Sequence, residues 1–419
     1  MASIAIIGSG ISGMAAAALL HPKYEITLYE KSPVIGGHTR TRVVEVNGKQ
    51  IPVDTGFIVF NYRNYPHLSA MFAHYNVPVQ KSDMTLGVTI NNGEIEWGAK
   101  DLNAVFGQRR NFLRPQFWRL LWDVMRFNRL AVKTAERLPQ LTLGGLLKEL
   151  RMGPWFAPYY ILPMGGAIWS CPLEVMLQFP ALNFTRFFEA HGLLSVRGQP
   201  QWYTVSGGSK EYVKRLTAPF ASRIETSTGI TKVTRLNGKS QVTDVNGKTQ
   251  EYDHVIFACH ADQALAMLAD VTPEECAVLG SFRYQDNRAI LHKDAGIMPR
   301  RKACWASWVY HSDGYVTDDP ISVTYWMNLL QSIDNKTPLF VTLNPQTPIA
   351  PEHIFDEHLF EHPVYSLEAA AAQERMPELQ GKQNSWFCGA YLRNGFHEDG
   401  IASAVEVARK LGAEVPWKT

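Results

Sequence analysis

The sequence predicts an α/β fold: a parallel-stranded unit assembled from separated segments of chain, with an α+β domain inserted between them. Three observations carry this expectation. An apolar strand pattern at the N-terminus runs through a glycine turn into a helix of small residues. Strand patterns return near residue 230, after a long stretch that reads as helical. A last short strand pattern and a helix close the chain. Periodicity that switches between 2 and 3.6 residues is what alternating strands and helices produce.

The first element is Ile4-Ala5-Ile6-Ile7, followed by Gly8-Ser9-Gly10-Ile11-Ser12-Gly13 and then Met14 to Leu20. Gly8 permits a tight turn, Gly10 lets backbone approach a pyrophosphate, and Gly13 lets the helix pack on the sheet. Free N–H groups at the helix start, with the helix dipole behind them, suit phosphates. A second strand, Glu25 to Tyr29, ends on Glu30, whose carboxylate accepts hydrogen bonds from a ribose diol. Strand, glycine turn, helix, strand and acid in this order predict a dinucleotide site of Rossmann type.

The bulk numbers bound the rest. At 419 residues the chain has room for two or three domains. Lys and Arg total 41 against 39 Asp and Glu, so no global field points to nucleic acid. Five scattered cysteines (Cys171, Cys259, Cys276, Cys304, Cys388) without a CxxC pair read as reduced thiols in a cytoplasm, not as a disulfide framework or metal site. The apolar start lacks a basic n-region, and no apolar run is long enough to span a bilayer.

Further along, Arg42 to Val46, Asn47-Gly48 and Gln50 to Asp54 form a hairpin pattern. Residues 62–200 read as mostly helical. Ile230–Thr234, Val242–Val245 and Tyr252–Cys259 are strand-like, as are Arg288–His292 and Ile321–Trp326. The expected division is a nucleotide-binding domain of residues 1–61, 205–264 and 383–419, and a substrate domain of residues 62–204 and 265–382.

Gly36-Gly37, just past the ribose acid, is a flavoprotein habit, and Arg40 would add charge nearby. Near the C-terminus, Gly395 and His397-Glu398-Asp399-Gly400-Ile401 precede a helix. A helix N-terminus beneath an isoalloxazine stabilises negative charge on the reduced ring. Asp399 has two compatible roles here, bonding a ribityl hydroxyl and capping the helix.

With these segments, Asp54–Asn61, Tyr252–Ala261, Leu291-His292, Thr324–Asn328 and Phe387–Tyr391, the chain resembles the flavin amine oxidase-like superfamily over essentially its whole length. More narrowly, it is similar to the FAD-binding oxidoreductases that form the N-terminal half of plant cyclopropane-fatty-acid synthases, and to standalone bacterial relatives. His38 stands where the broader superfamily usually has Arg, which fits the narrower group. The resemblance implies a glutathione-reductase-type FAD domain with an inserted amine oxidase-like substrate domain. It implies that Gly8, Gly10, Ser12, Gly13, Gly37, His38 and Thr39 line the FAD phosphates. Glu30 and Lys31 would hold the adenosine ribose, and Val233 would meet the adenine through its backbone. Gly56, Phe57 and Ile58 would pass beside the flavin ring, with Asp399, Gly400 and Ile401 at its ribityl and pyrimidine end.

The resemblance further implies removal of hydride and proton from a fatty-acyl chain, as in desaturation of a methyl-branched or cyclopropane-related lipid. Alternation on the strand Arg288–Lys293 is expected to turn Ile290 and His292 toward the ring and Lys293 away. His292 is then either the proton acceptor or a structural histidine. Tyr325, Asn328 and His397 are the other catalytic candidates. An amine or polyamine oxidase is the alternative reading and needs Lys293, not His292, at the flavin. A non-catalytic flavoprotein partner of a fatty-acid methyltransferase is a third reading.

Arg109, Arg110, Arg114, Arg119, Arg126 and Arg129 interleave with Phe112, Phe117, Trp118 and Trp122, around the single acid Asp123. Such a segment is expected either to lie on an anionic membrane surface or to pack on its own domain with a solvated basic face. The first reading would make the protein peripheral on the inner face of a membrane.

Overall fold

The computed structural model describes residues 1–169, 173–195, 198–312 and 321–419. Cys171 lies outside these; Cys259, Cys276, Cys304 and Cys388 are free thiols. Strand Ser3–Ile7 sits at the centre of a five-stranded sheet, with Ile4, Ala5 and Ile6 fully buried. It is apolar on both faces because a central parallel strand is covered on both. It pairs in parallel with Glu25–Tyr29 on one side and His254–Phe257 on the other. Ile224–Glu225 and Ser385–Phe387 complete the sheet, so its strands come from distant stretches of chain.

Helix Ile11–Leu20 is buried along its whole length. Its alanine run lets the C-terminal helix His397–Lys410 pack against it, around a core that includes Met14, Leu20, Ile401, Ala404 and Val405. Two hairpins, Thr41–Val46 with Lys49–Asp54 and Ile230–Leu236 with Lys239–Asp244, both turn at Asn-Gly. Positive φ at Asn47 (52°), Gly48 (74°), Asn237 (53°) and Gly238 (77°) is the geometry that an Asn-Gly turn supplies at least cost.

The second large sheet has seven strands, in the order Ile354–Val364, Arg283–His292, Phe340–Leu343, Ser322–Trp326, Trp308–Ser312, Leu86–Ile90 and Ile95–Gly98. One face turns Ala289, Leu291, Val341 and Leu343 toward Val44, Val53, Ile58 and Val59 of the nucleotide-binding side. Its far end turns Val88, Ile90, Trp97, Tyr310 and Val323 toward a helical layer. The opposite face packs Phe340 and Val309 against Met298 and Ala306.

The stretch expected to be mostly helical is mixed. Val79–Ser82, Leu86–Ile90 and Ile95–Gly98 are strands, the last two joined by a turn with positive φ at Asn91, Asn92 and Gly93. Alternation at Val88, Ile90, Ile95 and Trp97 carries the inward face, so a period of 2 holds here and not 3.6. The helices follow, and the longest of those described, Pro115–Arg137, buries Phe117, Leu120, Phe127 and Ala131.

Candidate cofactor and substrate site

The glycine turn makes a cradle at the C-terminal edge of the parallel sheet. A Cβ on Gly13 would lie 1.8 Å from the Gly8 carbonyl oxygen, so only glycine lets the helix start this close to the strand. Gly8 has φ +105°, which L side chains rarely adopt. Beside Gly10, by contrast, a Cβ would meet nothing within 4 Å. The second glycine loop crosses here, since a Cβ on Gly37 would come 3.1 Å from the Gly10 Cα. The C-terminal helix arrives from the other side, with a Gly400 Cβ position 2.8 Å from Ser12 Oγ. Two helix N-termini therefore converge on one open space, which suits a pyrophosphate.

Glu30 is fixed at the end of its strand. One carboxylate oxygen accepts the Ser9 N–H (3.0 Å) and hydroxyl (2.5 Å), and the other accepts the Ser32 N–H (2.8 Å). Lys31 beside it is exposed. Val233 is fully buried, its carbonyl accepts the Ala269 N–H at 2.9 Å, and its backbone is paired with Leu268 and Val242. Asp399 accepts the Phe396 (2.9 Å) and Asn394 (3.2 Å) N–H groups, capping the C-terminal helix. Glu398 instead caps helix Pro66–His74, accepting the His67 and Leu68 N–H groups, each at 2.9 Å. Burial pushes Asp399 up to about 6.

The Gly56–Ile58 stretch runs against the second glycine loop. A Gly56 Cβ would lie 2.0 Å from the His38 carbonyl oxygen, which accepts the Phe57 N–H at 2.8 Å. The Phe57 ring stacks on His397 with centroids 3.9 Å apart. His397 Nε2 bonds Thr39 Oγ1 (3.1 Å) and Tyr212 Oη (3.2 Å), and Thr39 and Tyr212 share a further hydrogen bond. Tyr212 carries no signal that sequence reasoning used. It sits one turn into helix Lys210–Thr217, whose start is capped by buried Asp54 through the Ser209 N–H at 2.9 Å. The imidazole of His397 is thus a neutral link between cofactor-side residues, and burial lowers it to about 3.

His38 supplies the clearest sign of a missing ligand. Its ring is enclosed by protein beside Phe360 (4.9 Å) and His362 (5.3 Å), yet its Nε2 has no partner. A buried polar atom without a partner is costly. A phosphate oxygen in the adjacent cradle is the kind of acceptor it needs. The residues present therefore fit FAD.

A second group of aromatic side chains meets where the three packed layers join. Trp308 and Tyr325 border both the helical core and the core behind Ile58, and Phe396 borders the helical core and the glycine-turn core. Tyr325 and Tyr365 are half-buried at this junction. Burial holds both phenols above their ordinary range, and the Tyr365 hydroxyl has no partner. Phe187 stacks on His191 (3.9 Å) and reaches Phe396 (5.4 Å).

Three catalytic expectations are corrected. His292 faces away from the nucleotide-binding side: Ala289 and Leu291 turn toward Ile58 and Val59, while His292 lies beside Phe340 on the opposite face. The alternation holds, but its phase is shifted by one residue. His292 Nδ1 accepts the Asp294 N–H (3.1 Å) and its Nε2–H donates to Thr342 Oγ1 (2.7 Å), leaving no nitrogen for a substrate. Burial lowers it to about 4. Lys293 is exposed beyond the strand, with its ammonium over Phe355 at 5.9 Å, so the amine-oxidase placement fails as well. Asn328 spends its amide on the Asp334, Thr337 and Leu339 backbone and organises a loop.

The buried imidazoles predict how the fold responds to acid. His292 and His362 are lowered to about 4 and His397 to about 3, against about 6.5 in an unfolded chain. Above pH 6.5 both states are neutral at these sites and nothing is lost. As pH falls toward 4 the unfolded chain takes up protons that the folded chain refuses, so stability drops. Asp54 and Asp399, each raised to about 6, act in the opposite direction over the same window. The histidine contribution is the larger, and the expected net loss between pH 6.5 and 4 is on the order of 5 kcal/mol. Urea midpoints measured across this window check it; a midpoint that rises on acidification contradicts it.

The comparisons with known proteins agree with this geometry. A family model described as flavin containing amine oxidoreductase matches residues 11–277. The fold is similar to that of a putative protoporphyrinogen oxidase from Exiguobacterium sp. 255-15, with TM-score 0.70, 16% identity and 98% of each chain covered. It is also similar to a CLA-producing fatty acid isomerase from P. acnes (TM-score 0.68, 15% identity, 98% of each chain). Cyclohexylamine oxidase from Brevibacterium oxydans IH-35A gives TM-score 0.67 at 15% identity, over 98% of this chain and 99% of that one. A carotenoid phi-ring synthase from Chlorobaculum tepidum is 39% identical over 69 residues, which is 16% of this chain and only 10% of that protein's length. The chain is a FAD-dependent oxidoreductase and belongs to the flavin containing amine oxidoreductase family.

Proposed function

We propose that the protein removes two hydrogens from a fatty-acyl chain, introducing a double bond into an unsaturated methyl-branched or cyclopropane-related lipid. The observation that carries this reading is the makeup of the aromatic junction where the packed cores meet. Its walls are aromatic, and the strand positions facing the cofactor side are Ala289 and Leu291. Aromatic walls suit an acyl chain and an ammonium cage alike, but an amine substrate usually needs an acid beside the cage as well. Yet among the described residues the buried carboxylates of this region, Asp54, Glu398 and Asp399, are committed to helix caps. A fatty acid isomerase with a similar fold adds support.

Bound FAD supplies the two-electron acceptor for such a reaction. The chain supplies the rest. The paired helix N-termini hold the phosphates, Glu30 holds the ribose, and the Phe57–His397 stack tied to Thr39 and Tyr212 fixes the ring end. Phe187, Phe396, Trp308 and Tyr325 exclude water around an apolar substrate. Tyr325 and Tyr365, held protonated, orient by hydrogen bonding and do not accept the proton. The Arg109–Arg129 segment is the proposed contact with a membrane that carries the substrate.

Anaerobic mixing of the yellow protein with acyl lipids and, separately, with amines tests the reading through flavin absorbance. Bleaching by an unsaturated methyl-branched or cyclopropane lipid is expected. Bleaching by amines alone overturns the reading in favour of an oxidase. Silence with both favours a flavoprotein partner of a methyltransferase.

A further inference from the structure

Six of the fifteen exposed large apolar residues among those described fall between Leu102 and Met125: Leu102, Phe112, Leu113, Trp118, Trp122 and Met125. Leu113 is 85% exposed, and Trp118 and Trp122 are the exposed tryptophans among those described. An exposed apolar cluster of this kind marks an interaction surface. It is rigidly built: the Phe112 ring stacks on Phe106 at 3.9 Å, and Trp118 Nε1–H donates to the Phe112 carbonyl at 3.0 Å.

The distribution along helix Pro115–Arg137 decides what the surface fits. Trp118, Trp122, Met125, Arg129 and Lys133 are spaced by three or four residues, so they share one stripe opposite the buried Phe117, Leu120 and Phe127. The stripe is apolar toward the N-terminus and basic toward the C-terminus. Arg126 and Arg129 form no ion pair with a described residue. Arg119 is different, because it bonds buried Asp123 and the Arg151 carbonyl and so ties the helix to its own domain. Arg119 is therefore left out of the lipid contact inferred below.

We infer that this corner enters an anionic bilayer tip first, with Leu113, Trp118, Trp122 and Met125 at acyl depth and Arg126, Arg129 and Lys133 among the headgroups. The inference deepens the lipid reading above by naming the surface through which the enzyme meets its substrate's membrane. Tryptophan at the boundary and arginine against phosphate are the combination that interfacial anchors use. A helix lying flat would instead carry its basic residues along both sides of the apolar stripe.

The test is co-sedimentation of the FAD-loaded protein with vesicles of phosphatidylglycerol and phosphatidylcholine, beside vesicles of phosphatidylcholine alone. Binding to the anionic vesicles and little to the neutral ones is expected. Arg126→Ala with Arg129→Ala should lower the partition coefficient about thirtyfold. Leu113→Asp with Trp122→Asp should remove binding while leaving the flavin spectrum and melting temperature unchanged, since both side chains face solvent. No binding to anionic vesicles, or binding that survives Leu113→Asp with Trp122→Asp, overturns the inference. So does self-association in the absence of lipid that these two substitutions abolish. Flavin bleaching by detergent-dispersed acyl lipid is read separately, so loss of membrane binding and failure of the lipid reading remain distinguishable.

Discussion

Gly13→Ala is expected to yield protein without bound FAD. The new methyl would stand 1.8 Å from the Gly8 carbonyl oxygen and 3.2 Å from the Ala258 Cβ, both set by the central strands. Neither neighbour can give, so helix Ile11–Leu20 must withdraw. Its buried contacts with the C-terminal helix and its N-terminal N–H groups withdraw with it. The cost is overpacking in a closed core, about 3 kcal/mol or more, plus loss of the phosphate contacts. Gly10→Ala separates the two effects. Its methyl meets no protein atom within 4 Å but projects into the cradle, so the chain should fold with unchanged urea stability and still lose FAD affinity. Flavin content after denaturation and melting of each purified variant read both outcomes. Full flavin content in Gly13→Ala would contradict the cradle.

His292→Ala is expected to destabilise the protein by about 3 kcal/mol while sparing turnover. The ring fills a closed layer beside Phe340, and its loss leaves a cavity, strands the Asp294 N–H and leaves the Thr342 hydroxyl with Thr324 alone. Flavin content should stay near that of the parent protein, and kcat below the melting transition should change by no more than about threefold. A histidine that takes the substrate proton would give the reverse pattern, with normal melting and a kcat loss of about a hundredfold or more. That reverse pattern would restore the proton-acceptor reading and move the substrate to the other face of the sheet.

The same two positions show what the sequence could and could not convey. Gly8, Gly10, Gly13 and Glu30 were legible because a dinucleotide cradle imposes local rules on backbone φ, Cβ clearance and carboxylate position, all of which leave residue-level marks. The Asn-Gly hairpins were legible for the same reason. His292 was not. A strand end buried on both faces, such as Ala289–His292, gives the same apolar pattern in either phase, so alternation alone does not say which side faces the cofactor. The strands Leu86–Ile90 and Ile95–Gly98 were hidden because each is only four or five residues long and longer helical patterns follow them. Tyr212 joins the site through tertiary contacts across more than a hundred residues of sequence, and Tyr365 and Trp308 join it through packing that no spacing rule encodes. The commitment of Arg119 to Asp123 fits the i,i+4 rule, yet composition alone merged it with the solvent-facing arginines.

The measurement that bears most directly on the central claim is the mass of the acyl product formed in a single anaerobic turnover. The holoprotein is mixed with one equivalent of an unsaturated methyl-branched phospholipid, and the acyl chains are released and weighed. The account predicts a chain lighter by two hydrogens for each flavin reduced, with the new double bond next to the existing one. An acyl chain of unchanged mass, whether untouched or merely isomerised, would contradict it.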